Sequence, residues 1–76
     1  MKQVTRRAME KWLLEHGFTL QAGRATGHRH YVRDGTKVTL PGHGSQDLTK
    51  KHVGLIVRIL ERVGFSKEQI RRELEG

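Results

Sequence analysis

His28-Arg29-His30-Tyr31-Val32-Arg33-Asp34-Gly35-Thr36-Lys37-Val38-Thr39-Leu40 is the stretch whose reading decides the fold. Residues 28 to 33 and 37 to 40 flank Asp34-Gly35, a dipeptide that tolerates the positive φ angles of a tight hairpin turn. The stretch therefore reads as a β-hairpin. In its second strand Val38 and Leu40 share a parity and are assigned to the core, which turns Lys37 and Thr39 to solvent. Pro41 lacks a backbone donor and ends that strand. The first strand has two readings. In one, Tyr31 faces outward, able to stack a base while Arg29 and Arg33 grip the flanking phosphates, and His30 and Val32 face inward on the side of His28. In the other, Tyr31 packs inward and draws both arginines with it, which is costly unless they snorkel past the sheet edges.

Working outward, Phe18-Thr19-Leu20-Gln21-Ala22 alternates apolar and polar residues, the period of a half-buried strand that Gly23 ends. Before it, Thr5 can cap a helix over residues 6 to 16, with Ala8, Met9, Trp12 and Leu13 at helical spacing and Gly17 as a left-handed stop. After the hairpin, residues 42 to 48 form a loop, and Thr49 can cap a second helix with the stripe Val53, Ile56, Val57, Leu60 and Val63. Gly64 ends that helix. Ser66 with Gln69 makes a capping-box pattern for a last helix that docks through Ile70 and Leu74 and frays in its final turn. Helix, three strands, helix and short helix imply an α+β two-layer sandwich: an antiparallel sheet with helices on one face and the other face wet.

The 76 residues make one domain, 1 to 76, too small to enclose a deep pocket, since a chain of this size buries only about 60% of its unfolded surface. Function is expected on an open face. Fifteen Lys and Arg against eight Asp and Glu give a formal charge of +7, which favours a polyanion and above all nucleic acid. The absence of cysteine excludes disulfides and thiolate metal ligands and fits a reducing cytosol, so a cytoplasmic location is expected. Neither a signal peptide nor a membrane span is legible, and no membrane partner is expected.

Between Thr19 and His52 lie Arg24, Arg29, Arg33, Lys37, Lys50 and Lys51, with Asp34 and Asp47 as the acidic residues. Four of the five histidines, His28, His30, His43 and His52, fall in the same interval. Imidazole moves protons near neutral pH and cations hold phosphodiesters, a combination suited to RNA cleavage. His28 follows Gly27, whose missing side chain admits a close approach, and opens a strand rather than sitting within an apolar run. His28 and His30 share a strand face and with His43 could chelate a metal, but no acidic residue lies near in sequence to support such a site. No paired carboxylates occur in the basic region, against two-metal nuclease chemistry. No cofactor is expected.

In layout the chain resembles the HicA-like mRNA interferase toxins. The resemblance rests on Gly17-Phe18, Gly27-His28, Asp34-Gly35, Val38-Thr39-Leu40-Pro41-Gly42-His43, Arg58-Ile59-Leu60 and Val63-Gly64-Phe65-Ser66 in their order and spacing, and covers most of the chain. It implies a double-stranded-RNA-binding-domain-like fold, cleavage of mRNA, His28 as the histidine required for it, and Pro41 with His43 as the family's Pro-x-His. It also implies a type II toxin-antitoxin pair in which a HicB-like antitoxin covers the active face. On this reading His28 is the general acid or base, while Gly27, Arg29, Arg33, Lys37 and His43 contact RNA. A non-catalytic RNA-binding module and a basic protein-interaction domain are the other functions that the same surface supports.

Overall fold

Asp34 and Gly35 have φ of 48° and 81°, the mirror-image turn geometry that matches the right-handed twist of paired strands. In the computed structural model, which describes residues 4–21, 29–40 and 48–75, this turn joins β2 (Arg29–Arg33) to β3 (Thr36–Leu40). The strands are antiparallel, with Tyr31 opposite Val38, His30 opposite Thr39 and Val32 opposite Lys37. On the far side of β2 lies β1 (Thr19–Gln21), also antiparallel, with Leu20 opposite Tyr31. The sheet order is β1-β2-β3.

β1 starts one residue later than the expected 18 to 22. Phe18 is buried but precedes the strand, Ala22 lies outside the described residues, and Leu20 at the edge is 40% exposed. Thr19 and Gln21 are exposed as the alternation requires and Phe18 is buried, whereas Leu20, on the parity of Tyr31, stays partly open at the sheet edge.

Helix α1 (Arg6–Glu15) begins where the Thr5 hydroxyl accepts from the Ala8 amide at 3.1 Å. It ends one residue before the expected position, with His16 as cap and Gly17 at φ 88°. Met9, Trp12 and Leu13 form its buried side. Helix α2 (Lys50–Val63) starts from Thr49, whose Oγ1 accepts from the His52 amide at 3.1 Å, and stops at the left-handed Gly64. Val53, Ile56, Val57 and Leu60 are buried as expected, and Val63 is half-buried. Gly54 sits in the interior of this helix, where glycine costs roughly 0.5–1 kcal/mol relative to alanine. Helix α3 (Lys67–Glu75) opens with the Gln69 amide donating to Ser66 Oγ at 3.0 Å.

Helix α3 runs to Glu75 and is anchored to the rest of the chain. Ile70 is fully buried, Leu74 packs against the core, and Glu73 is held by α1. Trp12 Nε1–H donates to Glu73 Oε1 at 2.7 Å, and His16 Nε2 lies 2.9 Å from the same oxygen. His16 stacks on the indole with ring centroids 3.9 Å apart, and Phe65 meets both rings edge-on.

Side chains from all three helices and from Tyr31, Val38 and Leu40 make one hydrophobic core. The helices therefore share one face of the sheet, and the chain is an α+β two-layer fold with the expected element order. The backbone also joins the two sides of the helical layer, since the Leu48 amide donates to the Val4 carbonyl at 2.8 Å. No helix among the described residues is long and apolar enough to cross a membrane.

Candidate nucleic-acid interface

Burial of Tyr31 settles the parity of β2. Its side chain is fully buried against the helices, so it does not stack a base, and the outward reading of Tyr31 is corrected. Arg29 and Arg33 share its side by alternation and escape burial at the two ends of the strand. Tyr31 donates its hydroxyl hydrogen to Glu10 Oε2. Arg29 Nη1 lies 3.4 Å from that oxygen and Arg6 Nη1 3.6 Å, so one carboxylate of α1 gathers a phenol and two guanidinium groups.

Hydrogen bonding, burial and charge together set the titration of this cluster. The Tyr31 hydroxyl holds the Glu10 carboxyl below its ordinary range; burial opposes this, and the positive charges of Arg6 and Arg29 reinforce it. Burial, followed by the bond to Glu10, pushes the Tyr31 hydroxyl above its ordinary value. Both shifts favour the same state, a neutral phenol donating to an ionised carboxylate.

Arg33 is held differently. Its Nε lies 3.7 Å from Asp34 Oδ2, and its guanidinium sits 5.2 Å from the centre of the Phe65 ring, a cation–π distance. The two arginines assigned to phosphates thus each have an acidic neighbour within the chain. Arg29 nevertheless keeps a side chain 46% exposed, which leaves part of its donor fork open to solvent.

The opposite face of the sheet carries no helix among the described residues. Strand pairing places Thr19 and Gln21 of β1, His30 and Val32 of β2, and Lys37 and Thr39 of β3 on it. Lys37 and Thr39 thus face away from the core, as the spacing of Val38 and Leu40 requires; Lys37 is exposed and Thr39 half-buried. His30 Nδ1 and Thr39 Oγ1 share a hydrogen bond of 2.9 Å across the strands. From the first turn of α2, His52 Nε2–H donates to the Thr39 carbonyl at 3.1 Å. Thr39 therefore orients two of the clustered histidines, one through its hydroxyl and one through its backbone. His30 has a fixed ring plane on an open surface, where its second nitrogen has no partner among the described residues.

Of the sequence-assigned site, Arg29, Arg33 and Lys37 are seen, and the structure divides them between the two faces. Gly27, His28 and His43 lie outside the described residues, as do two members of the considered His28, His30 and His43 triad. His28 is the residue immediately preceding β2. Among the described residues no group of three or more potential metal ligands converges. Sequence reasoning missed Glu10 and Thr39. Glu10 stands 19 residues from Arg29 and 21 from Tyr31, and its one local signal is Arg6 one helical turn before it. The cross-strand signal for Thr39 was present: a symmetric two-residue turn at Asp34-Gly35 places it opposite His30.

No family model, curated protein or solved structure matches the chain.

Proposed function

We propose that the chain is a metal-independent endoribonuclease in which single-stranded mRNA lies across the helix-free face of the sheet and His28 transfers the protons. The observation that carries the reading is this face itself, where Lys37 and an oriented His30 stand beside the strand that His28 precedes. The formal charge of +7 supplies the long-range attraction for a polyanion.

In the reaction a ribose 2′-oxygen gives up its proton as it attacks the adjacent phosphorus. The bond from phosphorus to the 5′-oxygen breaks, and the departing oxygen takes up a proton, leaving a 2′,3′-cyclic phosphate. His28 serves as general acid or base, with His30 or His43 as the second group. Lys37 holds a phosphate of the strand lying on this face, the solvent-facing part of Arg29 reaches a different one at the other end of β2, Gly27 admits the backbone, and Arg33 steadies the turn end of β2 through Asp34 and Phe65. The HicA-like resemblance adds a toxin's role in the cytoplasm and a HicB-like antitoxin covering this face.

Wild type and His28→Ala, each shown to be folded by circular dichroism, are to be incubated with mRNA in EDTA and the RNA ends sequenced. The variant is expected to lose roughly 10²- to 10⁴-fold in rate, the usual contribution of one proton-transfer group. Undiminished cleavage by the folded variant removes His28 from the chemistry. Salt-sensitive binding by wild type with no new RNA ends would instead assign a non-catalytic RNA-binding module.

A further inference from the structure

A groove of about 740 Å³ runs along α2 in the helical layer, away from the helix-free face of the sheet. Its floor is apolar: Val4, Leu48, Val53 and Val57. Three cations, Lys50, Arg58 and Lys67, stand at its rim with one carboxylate, Glu61. Among the described residues none of these cations makes an ion pair, so their charge is available to something outside the chain.

Gly54 lines the same groove and is not explained by the fold. Its φ is not in the left-handed region, and a Cβ built on it meets nothing within 4 Å among the described residues. The chain therefore bears the helix-weakening effect of glycine at a position where alanine would fit. A surface approached closely by another backbone or side chain accounts for a bare helix wall; internal packing does not.

The geometry points to this groove as the docking site for a short acidic segment of a protein partner. Its carboxylates would lie over Lys50, Arg58 and Lys67, and an apolar side chain would rest on Val53 and Val57 beside Gly54. Protein is favoured over RNA by the apolar floor and by Glu61, which repels a continuous run of phosphates but is tolerated by carboxylates spaced with apolar residues. The assignment stands independently of RNA cleavage, because none of the described residues that line the groove is given a role in it.

The test uses the full chain, isotope-labelled for NMR, and a synthetic peptide repeating Glu-Leu-Glu-Glu-Leu, with a version carrying lysine in place of glutamate as control. Saturable shifts at Gly54, Val57 and Arg58 with the acidic peptide alone are expected. Lys50→Glu combined with Arg58→Glu should weaken binding by about tenfold or more, and Gly54→Leu should block it. Gly54→Ala provides the arm free of folding failure: it should raise the melting temperature and still weaken the peptide. Absence of saturable shifts overturns the proposal, as do shifts centred on Lys37 and Thr39. Displacement of the peptide from Gly54 by an RNA oligonucleotide would reassign the groove to nucleic acid. A concentration-dependent dimer abolished by Gly54→Leu would reassign it to a second copy of the chain.

Discussion

Glu10 shows how much one residue decides. It neutralises the positive charge that Tyr31 carries inward with its arginine neighbours, and so makes the buried parity of β2 affordable. Because its folded carboxyl titrates below the ordinary 4.5, its stabilising effect is fully present above that value and is lost as pH falls through the lower, folded one. Glu10→Gln keeps an acceptor but removes its charge, and is accordingly expected to cost about 1–3 kcal/mol at neutral pH, the range for a hydrogen bond to a charged group. Urea unfolding from pH 7 downward should show the gap to wild type closing progressively once pH falls below 4.5; a gap that stays constant into acid would mean that the charge is not its source. Locally the sequence marks this residue only by Arg6 one turn before it. Alternation says that Arg29, Tyr31 and Arg33 share a side, but the choice of side depends on a carboxylate supplied by another element.

At the scale of elements, the sequence was most legible where a boundary is made by its own residues. Thr5, Thr49 and Ser66 cap helices through bonds to amides three positions on, which a local pattern can express. The Asp34-Gly35 turn is of the same kind, and its energetics are simple. A Cβ on Gly35 meets nothing within 4 Å, so Gly35→Ala is expected to destabilise only through its backbone at φ 81°, by about 1–2 kcal/mol. Thermal melts of Gly35→Ala and a Gly35→Asn variant check this, with asparagine, which tolerates the left-handed region, falling between alanine and wild type. Equal melting of all three would show that the turn relaxes without strain. Contacts from other elements are less legible: the exposure of Leu20 depends on its place at the sheet edge, and the bond from Trp12 to Glu73 ties α3 to α1.

For the whole molecule, the two-layer order followed from counting elements and needed no long-range information, whereas the candidate site did. The helix-free face could be foreseen, and so could Lys37 and Thr39 on it. That His52 also leans on Thr39 could not, because the two come from a helix and a hairpin whose meeting is a product of the core. The same is true of the junction between the two ends of the chain. Trp12 is the sole tryptophan; its indole donates to Glu73, stacks on His16 and meets Phe65 edge-on. The protein thus contains an intrinsic fluorophore at the seam where its last helix attaches. Glu73→Ala should move the emission to longer wavelength and weaken protection of α3 amides from hydrogen exchange while far-ultraviolet ellipticity holds. An unchanged emission maximum would show that the indole is shielded by the core alone. Detachment of the final helix can therefore be followed by light, separately from melting of the sheet, without attaching any dye.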